Sequence, residues 1–393
     1  MAGKALRGAG EVMVVASPIA QADALVIGGG PAGAALATHL ARRGRAVEVV
    51  EQSAAAHHKV CGEFLSREAV DYLDALGLDL CALGAVPIHG LRLAARAIIA
   101  ECELPFPAFS LTRRALDEAL LSLAARAGAA VLRGRRVASL QPSASGWAAS
   151  VAGGEIRCAS AAFLATGKHD IAGQRRPPGE QNDLIAFKMY FRLTPAQQRA
   201  LCGWVELIVF RGGYAGLQLA ENGEANLCLL VRRREFKSCG NQWTPLLRCL
   251  LGASDHLAQR LEGAQPLLPK PLALSSIPYG LLGSRPDCGL WRLGDQAAVI
   301  SSFTGDGISI ALHSARTAAE IYANGGTAGQ LAERLYEELN SSVHLAAVVS
   351  RLLVAAPGLA QLARLWPPFL RLLAAQTRIP ARALLVEALH FSL

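Results

Sequence analysis

The segment Gly28-Gly29-Gly30-Pro31-Ala32-Gly33 constrains this chain more than any other. It follows the apolar run Ala24-Leu25-Val26-Ile27 and precedes Ala34 to Arg43, a stretch rich in Ala and Leu that Gly44 ends. Ala46 to Val50 completes a strand–turn–helix–strand unit, with Glu51 at its end. The turn has the G-x-G-x-x-G spacing. Lack of a Cβ at Gly28 permits the tight turn from strand to helix. At Gly30 it lets a pyrophosphate approach the backbone, and at Gly33 it lets helix and strand pack closely. Free N–H groups at the helix start then face an anion. Glu51 lies 23 residues after Gly28, where a carboxylate accepts hydrogen bonds from a ribose diol. The unit predicts a dinucleotide site built from Gly28, Gly30, Ala32, Gly33 and Glu51.

The other 363 or so residues have to be placed around that unit, and about 393 residues exceed one ordinary core. Two closely packed domains, or one domain with a large insertion, are expected. At 52% hydrophobic and 18% charged, the chain can bury a large core. The net charge of +8 comes mostly from scattered arginines, with short runs such as Arg232-Arg233-Arg234. No basic tail or aromatic-interleaved basic stripe is present, so nucleic acid is not an expected partner. An anionic cofactor or a membrane surface accounts for the charge more simply. The nine cysteines include no C-x-x-C pair, which suggests reduced thiols in a cytoplasmic protein. Residues 1–20 read as a flexible extension. The apolar stretch Val343 to Ala375 is broken by Arg351, Arg364 and Arg371, and its longest charge-free run, Leu352 to Ala363, has 12 residues. About 20 are needed to cross a bilayer. The stretch reads as a helical cap on a pocket, with peripheral membrane contact as the alternative.

Between these ends, Ser66 to Leu76 and Thr112 to Gly128 read as helices, and Leu91 to Ile99 as one strand. Trp147 to Val151 and Glu155 to Cys158 read as a hairpin, with Ala161 to Ala165 as a further strand. In the 112–128 helix, Leu116, Leu120, Leu121 and Leu123 mark the buried face, and Arg113, Arg114 and Asp117 fall elsewhere. Residues 184–235 are strand-rich, residues 243–263 helical. Gly289 to Leu293 returns as a strand, Gly307 to Ala323 as a helix, and the remainder is mostly helical.

Two downstream segments specify the dinucleotide. Trp291-Arg292-Leu293-Gly294-Asp295-Gln296-Ala297-Ala298 is followed by Ser302-Phe303-Thr304-Gly305-Asp306-Gly307-Ile308. The pair resembles the second signature of the FAD-dependent oxidoreductases that include para-hydroxybenzoate hydroxylase, geranylgeranyl reductases and flavin-dependent halogenases. Thr112-Arg113-Arg114-Ala115-Leu116-Asp117 resembles that group's Arg-x-x-Leu-Asp element, and Lys59-Val60-Cys61-Gly62-Glu63-Phe64 resembles the Cys-Gly loop of its geranylgeranyl reductases. The resemblance extends to about residue 325. It implies that Asp295, with Gly294, meets the ribityl and pyrophosphate region. It also implies that Gly305 and Gly307 open a helix aimed at the flavin, that Arg113 contacts the cofactor, and that Val137 meets the adenine. Plainer roles stand beside these: a helix N-cap for Asp295, a solvated helix start for Arg113, and simple strand packing for Val137. The Cys61 loop would pass close to the isoalloxazine. Cys61 then either takes part in chemistry or packs on the flavin; Glu63 is either a helix-start carboxylate or an active-site acid.

The fold expected is α/β: a Rossmann-like FAD-binding domain with an inserted antiparallel β-sheet substrate domain and a helical C-terminal region. The FAD-binding domain would comprise residues 21–90, 110–175 and 272–328, the substrate domain 91–109 and 176–271, and the helical region 329–393. Phe187, Lys188, Tyr190, Phe191, Tyr214 and Leu217 either roof the pocket or form plain core. His57, His58 and His169 read as solvated loop histidines. The hydroxylases' Asp-Gly motif is replaced by Ala165-Thr166-Gly167-Lys168-His169-Asp170, and the halogenases' W-x-W-x-I-P motif is absent. No second G-x-G-x-x-G is present, so NAD(P)H would dock transiently as electron donor. The expected activity is monooxygenation of an apolar small molecule, of the kind found in secondary metabolism. Reduction of prenyl or polyene double bonds is the close alternative, and a membrane-peripheral lipid carrier without catalysis a third. No metal site is expected.

Overall fold

A computed structural model of the chain describes residues 22–96, 98–283, 289–355 and 378–384. The 1–20 extension, Cys288 and the apolar stretch beyond residue 355 lie outside these residues. The chain opens with β1 (Ala22–Ile27), α1 (Pro31–Arg42) and β2 (Val47–Glu51). A short β3 (Phe64–Leu65) and α2 (Arg67–Ala75) lead to the long strands β4 (Val86–Ala95) and β5 (Ile98–Ser110). Next come α3 (Arg113–Arg126), β6 (Ala130–Arg133), β7 (Val137–Ser143), β8 (Gly146–Val151) and β9 (Glu155–Leu164). The middle of the chain holds β10 (Leu184–Arg192), α4 (Pro195–Leu201), β11 (Trp204–Phe210), β12 (Gly213–Leu219) and β13 (Ala225–Arg232). Three helices follow, α5 (Arg233–Ser238), α6 (Trp243–Ala253) and α7 (Asp255–Arg260), then β14 (Gln265–Pro266) and β15 (Leu272–Ser275). Last are β16 (Leu281–Leu282), β17 (Trp291–Arg292), β18 (Ala298–Val299), α8 (Gly307–Ala323), α9 (Ala328–Ala355) and α10 (Ala381–Leu384).

Two large sheets carry most of these strands, and β16 and β18 pair separately. The first has the order β6-β2-β1-β9-β8-β7, with β17 beside β9. Its β6, β2, β1, β9 and β17 run parallel, and β7 to β9 form an antiparallel meander. Successive β1 side chains point to opposite faces, and both faces are covered. Ala24 and Val26 pack with α1, α3 and α8, while Leu25 and Ile27 pack with Trp147, Ala149 and Val151 of the meander. The second sheet has the order β14-β10-β13-β12-β11-β4-β5-β3, with β15 beside β10. Apart from the parallel pair β4 and β11, its pairings are antiparallel. One face packs against α6 and α7, and the other meets α9. Among the described residues no helix is long and apolar enough to cross a membrane.

The expected α/β architecture is present, with local differences. The Leu91 to Ile99 segment is not one strand: the chain reverses between Ala95 and Ile98, with Arg96 at φ 54°. The run contains none of the Gly, Asn or Asp residues that normally announce such a turn, so its apolar pattern reads straight through. Glu155 to Cys158 and Ala161 to Leu164 are parts of the single strand β9, which ends one residue before Ala165. The 243–263 helix breaks at Ser254, whose hydroxyl accepts from Leu257 N and caps α7.

Gly33 shows how tightly the first unit is built. A Cβ there would sit 1.9 Å from the Gly28 carbonyl oxygen. Gly33→Ala is therefore expected to destabilise the chain by about 3 kcal/mol. Gly252, inside α6 with open space around it, is the contrast. Gly252→Ala should stabilise by about 0.5–1 kcal/mol through helix propensity. Urea unfolding of both variants checks the pair.

Candidate active site

A cavity of about 1020 Å³ opens between the two sheets. Every residue expected to touch the dinucleotide borders it except Gly33, whose role is the helix–strand contact. Gly28 is at φ 104°, and a Cβ there would meet Ala165 O at 2.5 Å. At Gly30 the nearest atom to such a Cβ is Arg113 Nη2 at 3.4 Å, so the side facing the cavity stays clear for a ligand. Glu51 holds the turn itself: its Oε2 accepts from Gly29 N at 2.7 Å and its Oε1 from Ser53 N at 2.9 Å. Each oxygen keeps a second lone pair for a ribose hydroxyl.

Arg113 is fixed where it borders the cavity. Its guanidinium makes two hydrogen bonds to Asp117, at 2.6 and 2.9 Å. Lys59 Nζ reaches the same carboxylate at 2.9 Å. Asp117 is thus buried in an ion cluster, not on an open helix face. Burial pushes its carboxyl up, but Arg113 and then Lys59 outweigh that and hold it below its ordinary value. The solvated-start alternative for Arg113 is not met. The plain alternative for Asp295 is not met either, because the residue lies inside the 3-10 turn Gly294–Gln296 and Leu293 takes the cap position. Beside it, Gln296 donates to the carbonyls of Gly167 and His169 at 2.8 and 3.0 Å, tying down the loop that replaces the hydroxylases' motif. Val137 is buried and borders the cavity.

The second glycine turn lies against the Cys61 loop. Gly305 is at φ 77°, and a Cβ there would strike the Phe64 ring at 2.5 Å. Gly307 opens α8 with nothing within 4 Å of a Cβ. Asp306 between them is 1% exposed, and neither of its carboxylate oxygens has a hydrogen-bond partner among the described residues. Arg378 Nη2 stands 3.9 Å away, a Coulombic neighbour too distant for a hydrogen bond. Burial pushes the Asp306 carboxyl up to about 7; Arg378 opposes this and Glu68 adds to it.

Glu63 differs most from expectation. It precedes β3, not a helix, and it is fully buried at φ 63°. Its Oε1 accepts from Arg113 N at 2.7 Å, so it caps α3, an element 50 residues away. Both oxygens accept from Tyr190 Oη at 2.9 and 2.8 Å, Asn226 Nδ2 donates to Oε2 at 3.0 Å, and Lys188 Nζ lies 2.5 Å from Oε1. Burial raises the Glu63 carboxyl, and Lys188 is the main opposing influence. Cys61 borders the cavity, and its Sγ accepts from Glu63 N at 3.3 Å. Lys188, Tyr190 and Asn226 are the functional candidates that sequence reasoning missed or left as core. Their signal was a lysine within an otherwise apolar strand, Leu184-Ile185-Ala186-Phe187-Lys188-Met189-Tyr190. Of the other proposed roofing residues, Phe187, Phe191 and Leu217 turn into the opposite core, and Tyr214 borders the cavity. His57 and His169 are exposed at the cavity edge, and His58 is half-buried 4.7 Å from the Tyr190 ring.

The far part of the cavity is apolar, walled by Leu91 and Leu93 of β4, Leu207 of β11, Leu230 of β13, Leu274 of β15 and Leu353 of α9. Phe106 and Arg378 close one side, with the guanidinium 3.7 Å from the ring centre and paired with Glu68.

Comparison with known proteins agrees with this geometry. Residues 21–165 match the FAD binding domain family. The chain is 29% identical over 326 residues to the menaquinone reductase of Mycolicibacterium smegmatis, covering 78% of this chain and 77% of that protein. Its fold is similar to that of the flavin-dependent brominase Bmp2, with TM-score 0.73, 16% identity, and 90% and 93% of the two chains covered. The myxobacterial chondrochloren halogenase CndH gives TM-score 0.71, 19% identity, and 91% and 90% coverage. The chain has the fold of the FAD-dependent oxidoreductases and is an enzyme of that class. The site fits FAD: two glycine turns at helix starts, a carboxylate at the ribose end, an anchored arginine, and open space at Gly30 and Gly307.

Two outcomes follow. Glu51→Gln weakens a charge-assisted hold on the glycine turn, which is expected to cost about 1.5 kcal/mol, or roughly tenfold in the Kd for FAD. Flavin fluorescence titration measures it. For Asp306, the folded-state pKa of about 7 lies above the ordinary 3.8. Its contribution is present in full below pH 4 and is lost as pH rises to about 7. Relative to Asp306→Asn, the wild type should lose up to about 4 kcal/mol across that window and nothing further above it. Denaturant unfolding at several pH values checks the slope, and equal slopes would refute it.

Proposed function

FAD-dependent oxidoreductase activity is the premise, and on it we propose that the enzyme reduces a carbon–carbon double bond in a long apolar prenyl or polyene lipid. A quinone with a polyprenyl chain is the leading substrate class, and NAD(P)H is the electron donor. The observation that carries this is the apolar wall, which continues from the Cys61 loop and the second glycine turn out to α9. An isolated double bond offers no charge or strong dipole to hold, so affinity has to come from buried apolar area, about 25 cal/mol per Å². A relative named menaquinone reductase, matching over most of both chains, supports the same class.

When bound, FAD supplies the hydride-transfer chemistry. The chain's own residues bind and shield. Gly28, Gly30, Ala32 and Glu51 serve the nucleotide end, Arg113 and Asp295 the phosphates and ribityl chain, and Gly305 and Gly307 the ring end. The leucines of β4, β11 and β13 keep water from the reacting carbons. Cys61 is the candidate proton donor at the wall, since both oxygens of Glu63 are already engaged. Leu352, 48% exposed and bordering the cavity, marks the side where an apolar molecule enters, and there a membrane surface would deliver it.

Anaerobic incubation of the FAD-loaded enzyme with NADPH and menaquinone, followed by mass spectrometry, tests the proposal. The expected product, read after the quinone head is reoxidised in air so that simple quinol formation does not count, is heavier by two hydrogens in its prenyl chain and forms without oxygen. A product heavier by one oxygen, formed only in air, would replace it with monooxygenation. Tight lipid binding with no turnover under either condition would replace it with a carrier.

A further inference from the structure

Asn226 sits where the second sheet meets the Cys61 loop. Its neighbours in β13 alternate: Leu227, Leu229 and Val231 face the core beneath α6, whereas Cys228 and Leu230 border the cavity. Asn226 is therefore on the cavity-side face, yet it is 1% exposed and does not itself border the cavity, because the loop covers it. Its Nδ2 lies 3.2 Å from Cys61 O, 2.9 Å from Gly62 O and 3.0 Å from Glu63 Oε2. One side-chain amide thus draws two successive loop carbonyls back toward the sheet.

Peptide geometry turns that contact into a direction. The Cys61–Gly62 peptide is trans, so its C=O and N–H point oppositely. With Cys61 O aimed at Asn226, the Gly62 N–H points away from the sheet, and the cavity lies on that side. Among the described residues no backbone or side-chain acceptor pairs with that N–H. A Cβ at Gly62 would meet nothing within 4 Å, so the loop's outer side is open. Phe64, two residues on, is against Gly305, which places the loop alongside the start of α8.

We infer that Asn226 is a positioning residue: it turns the Cys61–Gly62 peptide so that the Gly62 N–H is presented to the ring end of FAD as a hydrogen-bond donor. Glu63, Lys188 and Tyr190 hold the arrangement. Glu63 accepts from Asn226, and its own carboxylate is fixed by Lys188, by Tyr190 and by the α3 backbone at Arg113. In β10, Tyr190 is the register partner of Asn226, so the lock spans adjacent strands. A donor aimed at the ring stabilises the electron-rich reduced flavin more than the oxidised one, which raises the reduction potential. This rests on the cavity being the FAD site.

The test begins with FAD binding by the wild type; failure there overturns the cavity reading and this inference together. With binding established, the two-electron midpoint potential and visible spectrum of bound FAD are compared between the wild type, Asn226→Leu and Tyr190→Phe. Asn226→Leu should favour oxidised flavin about tenfold, a potential lower by roughly 30 mV. Tyr190→Phe keeps the ring and loosens only the lock, and should shift the equilibrium about threefold in the same direction, roughly 14 mV. Asn226→Gln, which retains the amide, should recover part of the shift. If Asn226→Leu does not hold FAD, Tyr190→Phe decides. Potentials and spectra equal to wild type in the variants that hold FAD would show that Asn226 only packs the loop.

Discussion

The buried carboxylate of Glu63 is the point on which the two sheets agree. It ends the loop that leaves β2 of the first sheet, just before β3 of the second, and its partners are β10, β13 and the start of α3. Removing a carboxylate and an ammonium from water costs several kcal/mol each, and their attraction repays that only with good geometry and further hydrogen bonds. Here the further bonds are present: Tyr190, Asn226 and a backbone N–H satisfy Glu63. Lys188 Nζ makes no further hydrogen bond among the described residues and stands 4.6 Å from the Tyr190 ring centre, so Glu63 and Tyr190 together fix its position. Such a cluster is a weak source of net stability and a strong source of orientation. It also explains how a non-glycine residue is held at φ 63°, a backbone region that costs of order 1–3 kcal/mol and persists only when its surroundings over-determine it.

From that point the cavity divides by charge. On the α3 side, Arg113, Asp117 and Lys59 form a chain of ion pairs that leaves one net positive charge beside the glycine turn. The start of α1 at Pro31 adds partial positive charge there. An anionic pyrophosphate completes that balance. On the α9 side the wall is leucine. A bound FAD, polar along its phosphates and ribose and flat and less polar at its ring, would bridge the two halves. The ring would stand where the loop, the second glycine turn and the leucine wall meet.

Most of the nucleotide half was legible in the sequence because its parts are local. Gly28, Gly30 and Gly33 are assigned separate steric tasks within six residues, and the structure shows the positive φ of Gly28 and the close helix–strand contact at Gly33. For Asp295 and Gly305 the resemblance alone assigns a ligand, since spacing assigns them none. Glu63 was misplaced because its partners are 50, 125, 127 and 163 residues distant, and no local pattern reports a helix capped from elsewhere. The reversal at Arg96 was hidden for the opposite reason: the strands on both sides are apolar, and the turn uses a residue that rarely takes positive φ. The sheet alternation that sorts Phe187 from Lys188 is legible in principle, but only once a strand's buried faces are known to be of two kinds.

Those two kinds show why one fold serves different reactions. On the cavity side of β10 and β13, the register pairs are Tyr190 with Asn226, Lys188 with Cys228, and Ala186 with Leu230. The side chains pass from hydrogen-bonding to charged to apolar over three pairs. The first pair faces the loop, and Ala186 and Leu230 face the open cavity. Cys228, in the middle, has its thiol pushed up to about 12 by burial, so it remains neutral there. The opposite faces of the same strands are uniformly apolar and pack against α6 and α7. Substitution on the inner face can therefore change what is held against the cofactor without disturbing the packing that defines the sheet. That separation fits a fold shared with the brominase and the chondrochloren halogenase at 16% and 19% identity, because one scaffold can host different chemistries.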